Sequence, residues 1–287
     1  MAQISNILFP VDFSPSSIAM APWVKRSAAL SGARVSLMHV FDPFSHNGFE
    51  MYARLGQDIA REHHDIAQQR LEGFLAAEFP AAECPRILLV GDPATEIAQT
   101  ANKGFDMIIM PTHAGFFRRM LVGSTVAKVL DSADCPVLTS RHTETIAPRP
   151  LEHREWLCAL GLGESSERVL RFAISIAAEY RGRLTIIHAV KAARPSSPVE
   201  LELAERLESV RRDEALERIA NLQSRLGSQA EVRISIGAVK EALLEAARRS
   251  DADVLMIGRG TQSGPQGRLR DLTYTVVRDS PYPVLSI

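Results

Sequence analysis

Short runs that are apolar throughout alternate along the whole chain with longer segments of mixed character. The runs are NILFPV at 6–11, RVSLMHVF at 34–41, RILLVG at 86–91, DMIIMP at 106–111 and PVLTS at 136–140. A second set follows: WLCALGL at 156–162, RLTIIHAV at 183–190, EVRISI at 231–236, DVLMIG at 253–258 and PVLSI at 283–287. Apolar runs this short, bounded by polar residues, predict strands buried on both faces. The segments between them predict helices. Ser14-Pro15 supplies a cap and a first-turn proline for a helix to about Leu30. Further helices are predicted over about 49–79, 94–103 and 124–133, then 166–180, about 198–226, one after Gly237, and one from about 269. Strands alternating with helices indicate a parallel sheet covered on both faces.

The pattern is written twice. GARVSLMHVF at 32–41 returns as RGRLTIIHAV at 181–190, which places His39 and His188 149 residues apart. GDPATEIAQTANKGFDMIIM at 91–110 returns as GAVKEALLEAARRSDADVLMI at 237–257, and DSADCPVLTS at 131–140 as DSPYPVLSI at 279–287. Three blocks in one order at nearly one offset describe a duplicated domain. RHTETIAPRPLEHRE, at 141–155, is polar, carries two prolines and lacks periodicity. The division is therefore a domain over 1–141, a linker over 142–154 and a domain over 155–287. The fold class is α/β: two tandem doubly wound domains, each with a five-stranded parallel sheet.

Composition narrows the classes of function. A formal net charge of -1 gives no general attraction to nucleic acid or to an anionic membrane, and neither is expected as a partner. No apolar run reaches the roughly 20 residues of a bilayer span. The first residues, MAQISNILFPVDFS, lack the basic segment and long apolar core of a signal peptide. Three scattered cysteines, Cys84, Cys135 and Cys158, suit a reducing cytoplasm. No cysteine or histidine cluster predicts a metal site, and the adjacent His63 and His64 do not share a helix face.

Ligands of such sheets sit beyond the carboxyl ends of the strands, near the switch in strand order. In the first copy those ends carry Pro10, Val11, Asp12, Val40, Met110 and Thr112, with Gly115 in the following loop. Asp12 ends a buried strand, so its carboxylate reaches a ribose hydroxyl or a metal, or else caps the turn before the helix. Gly123-Ser124-Thr125 opens a helix, whose free N–H groups and positive dipole end suit phosphate. The plainer reading is an ordinary helix cap. His39 and His188 have no nucleophile in a recognisable elbow beside them and read as packing residues. The charged helix at 201–226 is a solvated helix with one face on its own sheet, or a helix that meets a partner.

NILFPVDFSPSS, then LMHV, then GDPATEI, then a Thr-His loop ending GSTVAKVL and CPVL, resembles the universal stress protein family nearly throughout each half. The resemblance implies an adenine nucleotide alpha hydrolase-like fold. It also implies that Asp12 contacts ribose, Val40 adenine, and Gly123 with Ser124 the phosphates of ATP, accompanied by magnesium. The family's ATP-binding loop has Gly, two residues, Gly, nine residues, then Gly-Ser. Here the first glycine falls on Pro111 and the second on Ala114, with Gly115 next, and eight residues separate Ala114 from Gly123. Proline donates no backbone hydrogen bond and alanine resists positive φ, so the strand half of the cradle is altered. Arg118 and Arg119 stand in the loop as alternative phosphate contacts. In the second copy Gly161 stands at Asp12's place, Thr261 at the second glycine, and Arg270 and Asp271 at Gly123 and Ser124. A carboxylate there satisfies the helix N–H groups and repels phosphate.

The expected function is therefore that of a non-catalytic cytoplasmic stress-response protein, with adenine nucleotide held by the first domain only. The alternatives are a structural or protein-interaction module without nucleotide, and a slow ATP hydrolase. The resemblance further implies pairing of the two domains within the chain through their last strands, doubled by homodimerisation.

Overall fold

The computed structural model describes residues 4–42, 48–112, 123–140, 154–192, 197–259 and 272–287, with 48–60 described by their backbone alone. The chain divides into two compact units, Ile4–Arg149 and Pro150–Ile287.

The first unit runs β1 (Asn6–Pro10), α1 (Pro15–Ser31), β2 (Arg34–Phe41), α2 (Gly48–Gly73), β3 (Arg86–Val90), α3 (Pro93–Ala101), β4 (Met107–Pro111), α4 (Ser124–Ser132) and β5 (Val137–Ser140). Its strands are parallel in the order β3-β2-β1-β4-β5. The second unit runs β6 (Glu155–Ala159), α5 (Ser166–Glu179), β7 (Arg183–Val190), α6 (Pro198–Leu226), β8 (Glu231–Ile236), α7 (Val239–Arg249), β9 (Val254–Ile257), α8 (Leu272–Asp279) and β10 (Val284–Ser286). Its parallel order is β8-β7-β6-β9-β10. Each unit is thus a doubly wound α/β domain, as the alternating runs predict.

The central strands carry the cores. Ile7, Leu8 and Phe9 of β1 and Ile108 and Ile109 of β4 are fully buried, as are Leu157 and Cys158 of β6 and Leu255 and Met256 of β9. Strands apolar on both faces need helices on both faces to exclude water. The helix ends follow local chemistry. Ser14 accepts from the Ser17 amide at α1, Asp92 from Thr95 at α3, and Ser197 from Glu200 at α6, each with a proline in the first turn. Gly32 and Gly227 close α1 and α6 with φ of 69° and 65°, a conformation open to glycine.

The duplication extends to single atoms. Asp106 Oδ2 accepts from the amides of Ser5 and Asn6, both at 2.9 Å, and ties the start of β1 to β4. Asp253 Oδ2 accepts from Arg154 at 2.7 Å and Glu155 at 2.9 Å, and ties β6 to β9.

One helix differs from its expected length. The pattern predicts helix over about 49–79, whereas α2 ends at Gly73 and turns follow. Leu75 takes a φ of 51°, outside the helix. Arg86, the first residue of β3, holds this region by its carbonyls. Its guanidinium donates to Leu71 O at 3.2 Å, Cys84 O at 2.9 Å, Phe74 O at 3.4 Å and Phe79 O at 2.6 Å. The last carbonyls of a helix lack partners within it, and a planar five-donor group suits several of them together.

Candidate functional site

β1 pairs with β2 through Pro10↔Met38, and β4 with β5 through Pro111↔Ser140. Pairing between β1 and β4 stops earlier, at Leu8↔Ile108. The two strands therefore part just where the strand order reverses, and a crevice opens between their ends. Proline contributes to the parting. Ile108 donates to the carbonyl of Pro136, just before β5, and Thr112 to that of Ser140 at its end. By the alternation of a parallel ladder, the N–H of position 111 would face β1, and Pro111 has none.

A cavity of about 290 Å³ lies at this crevice. Pro10, Val11 and Asp12 line it from the end of β1, Val40 from β2, and Met110 and Thr112 from the end of β4. Gly123, Ser124 and Thr125 line it from the start of α4. The fold thus brings nine of the sequence-predicted residues to one cavity. Gly115, with His113, Ala114, Arg118 and Arg119, lies outside the described residues, as do Thr261, Arg270 and Asp271 in the second unit. The cavity is also lined by Ser17, His39, Pro93 and Ile97, which the sequence did not single out as site residues.

Asp12 uses its two oxygens differently. Oδ1 accepts from the Ser14 amide at 3.0 Å and from the Ser17 hydroxyl at 2.6 Å. That is the turn-capping role. Oδ2 has no hydrogen-bond partner among the described residues, and the side chain is exposed at the cavity. Ser17 is buried in the first turn of α1 and also accepts from the Asp12 amide at 3.3 Å, so the carboxylate is held from two sides. One oxygen is fixed and the other remains an acceptor for a hydroxyl.

The start of α4 is the complementary donor. Its cap, Gly123, carries no side chain to satisfy the first amides. The Gly123 amide turns back to Thr112 O at 3.1 Å, and Ala127 begins the helical ladder by donating to Gly123 O. The amides of Ser124, Thr125 and Val126 have no partner among the described residues, nor do the Ser124 and Thr125 hydroxyls. α1, α3 and α6 by contrast each have a side-chain cap. Gly123 has a φ of -58°, and a Cβ there would meet Thr112 O at 3.5 Å, an ordinary contact. The fold itself therefore does not demand glycine at this place. Thr112 is buried; its amide and hydroxyl both donate to Ser140 O, at 3.1 and 3.2 Å. Thr112 thus anchors the base of the loop and offers the cavity little polarity.

His39 forms part of the wall. Its Nδ1 lies 2.8 Å from the Val11 carbonyl, an acceptor only, so Nδ1 carries the proton. The ring stacks at a tilt on Phe13, with centroids 4.2 Å apart, and the Arg70 guanidinium lies over the Phe13 ring, 4.5 Å from its centroid. Burial pushes the His39 pKa down, against the opposing pull of the Val11 carbonyl and the Asp12 charge. His39 is therefore a neutral positioning group near neutral pH. His188 repeats the bond to Leu160 O at 2.7 Å.

The second unit has a different strand end. Gly161 stands at Asp12's place, so this strand end carries no carboxylate there. The Arg259 amide donates to Ile287 O as Thr112 donates to Ser140 O, which aligns Gly258 with Pro111. A Cβ at Gly258 would fall 2.9 Å from Cγ2 of Val169 in α5. A larger residue there would require the Val169 side chain to shift.

Each unit has the adenine nucleotide alpha hydrolase-like fold, and the crevice of the first lies at its switch point. The universal stress protein family model matches the chain twice, over residues 3–141 and 154–287, and the chain belongs to that family. A universal stress protein from Archaeoglobus fulgidus DSM 4304 superposes with a TM-score of 0.68 at 22% identity, covering 99% of this chain and 96% of that one. A functionally unknown protein from Pseudomonas aeruginosa PAO1 gives a TM-score of 0.64 at 19% identity, covering 100% and 93%. At such identities the likeness shows the fold alone. No match was found among curated proteins. Among the described residues no helix is long and apolar enough to cross a membrane.

Proposed function

We propose that this universal stress protein is a non-catalytic, cytoplasmic nucleotide-responsive protein that holds ATP in its first unit only. One observation carries the reading. The open oxygen of Asp12 and the uncapped N-terminus of α4 face a single cavity at the switch point. In this reading Asp12 Oδ2 accepts from a ribose hydroxyl. Val11, Val40 and Met110, with Pro10 behind them, supply the apolar wall for adenine. The amides and hydroxyls of Ser124 and Thr125 receive phosphate, which brings its own magnesium. Gly115 stands in for the displaced loop glycine, and Pro111 removes a donor on the β1 side. The grip is consequently weaker than a full glycine cradle gives. Asp12 Oδ1 and Ser17 bond to one another and His39 to a carbonyl, an arrangement that positions groups rather than activates a nucleophile. The second unit serves as a structural partner, paired with the first through the last strand of each, as the family resemblance implies.

Calorimetry with ATP, with and without magnesium, tests the reading. Binding is expected at one site per chain and is abolished by Ser124→Asp, which puts a carboxylate on the phosphate donors. No heat at millimolar nucleotide would overturn the proposal in favour of an interaction module. ATP turnover that survives Asp12→Ala would overturn the non-catalytic assignment at this site. Disulfide trapping between cysteines placed in β5 and β10 of one chain tests the pairing; its failure at every register would sink that part.

A further inference from the structure

α6 has two apolar faces and one of them is bare. Ala204, Ala215, Ile219 and Gln223 are buried on its own unit, while Leu201, five turns before Ile219 on that side, is 49% exposed. On the opposite side Val199, Leu203, Leu207 and Val210 are exposed by 80, 58, 44 and 53%. Spacings of four, four and three residues put them on one stripe along the first three turns of the helix. The stripe ends at Glu214 and Glu217, which share its face. Ordinary surfaces scatter single apolar residues, whereas a continuous stripe flanked by charge marks a contact.

The flanks identify the occupant. Two antiparallel helices related by a two-fold axis bring each flank against its own copy. Such a flank is self-complementary only if it carries opposite charges placed symmetrically about the axis. One flank of the α6 stripe carries Glu202 and Arg206, and the other carries Glu200 and Arg211. Antiparallel pairing sets Val199 beside Val210 of the second copy and Leu203 beside Leu207 of the second copy. The same pairing sets Glu202 opposite Arg206 and Glu200 opposite Arg211. The midpoint of every one of these pairs falls within Ala204–Arg206. Within one chain Glu202 and Arg206 already bond at 2.7 Å, exposed by 70 and 76%. Exposed pairs of that kind add little stability alone and are free to cross the seam.

We infer that α6 is a homodimerisation helix, joining two copies of this chain antiparallel about an axis near Ala204–Arg206. The contact spans only about three helical turns, so the dimer is expected to be a weak one. It does not depend on nucleotide or on the crevice in the first unit.

Sedimentation velocity of the full chain up to about 100 µM tests this. The expected result is a monomer–dimer equilibrium in the wild type. Leu203→Glu combined with Leu207→Glu should weaken the dimer by at least about tenfold, with unchanged circular dichroism and urea midpoint. Glu202→Arg alone should weaken it, and adding Arg206→Glu should restore it. If the paired glutamates disturb the fold, disulfide formation reads the seam instead. A Leu203→Cys chain mixed with a Leu207→Cys chain should crosslink faster than either chain alone. A wild type that stays monomeric at about 100 µM would overturn the inference. So would a dimer indifferent to the two glutamates, or the same affinity for the single and double charge swaps. A monomer whose stripe instead carries it onto anionic lipid vesicles would assign the face to a membrane surface and equally overturn it.

Discussion

The Nδ1 proton of His39 goes to the carbonyl of Val11, the residue just before Asp12, at 2.8 Å. The bond joins the end of β1 to β2 above the last ladder pair, at the wall of the cavity. It also fixes the backbone from which Asp12 projects. The identical bond between His188 and Leu160 occurs where Asp12 has been replaced by Gly161. Its persistence there, without the carboxylate, marks the histidine as a device of the fold.

A pH dependence follows. Burial lowers the His39 pKa in the folded chain below the ordinary 6.5 of the unfolded one. The unfolded state then binds the proton more readily, so folding stability from this group is fully present above about pH 6.5. It is lost as pH falls from there through the lower folded pKa. His39→Asn keeps a donor for Val11 and removes the titration. Melting temperature followed from about pH 7 to about pH 5 should drop less steeply in the variant than in the wild type. Equal slopes would show that His39 does not titrate against the fold.

Arg86 gathers four carbonyls, from Leu71, Phe74, Phe79 and Cys84. Lysine has the charge but not the fork. Arg86→Lys should therefore cost about 2 kcal/mol, since several carbonyls lose charge-assisted bonds. Urea unfolding measures it, and a loss within experimental error would show that the turns at 74–84 hold themselves.

Gly258 offers a cleaner cycle. Its absent Cβ leaves room for Cγ2 of Val169, which would otherwise sit at 2.9 Å. Gly258→Ala should destabilise by about 1–3 kcal/mol, the usual cost of overpacking. Val169→Ala should recover much of that loss when combined with it, although alone it opens a small cavity. Strict additivity of the two changes would mean that the contact is not the cause.

The strands and the duplication were legible because buried parallel strands are apolar throughout and punctuated by polar residues. The repeated aspartate before β4 and β9 was visible as Asp106 and Asp253, but its partners were not, since they lie about a hundred residues away. The end of α2 is not legible in the sequence for the same reason. Arg86 reaches back over the turns, and nothing local announces it. At the site, Asp12 presented two readings in the sequence, and the structure accommodates both because Oδ1 and Oδ2 separate the roles. Nothing local marks Ser17, because only the first turn of α1 folds it under Asp12. Pro10 and Pro111 were each visible, but the parting of β1 from β4 depends on which strands are neighbours. Gly123 stands at the opening of α4, and its backbone and surroundings show that the fold itself does not require glycine there.

The three thiols should separate by burial. Cys84 and Cys158 are 3 and 0% exposed, while Cys135 is half-buried at the approach to β5. Burial pushes the Cys84 thiol up and that of Cys158 to about 12, so neither ionises near neutral pH. The thiolate is the reactive form, and access is a second requirement that both lack. Alkylation of the native chain, mapped by peptide mass, should mark Cys135 first. Cys84 and Cys158 should be modified only at the rate of unfolding, and together with loss of structure in urea. Because Cys158 sits in β6, the central strand of its sheet, and Cys84 beside the Arg86 carbonyl net, their two rates report the opening of the second and first units separately. Native-state labelling of Cys158 as fast as that of Cys135 would mean that β6 is not the closed centre of its sheet.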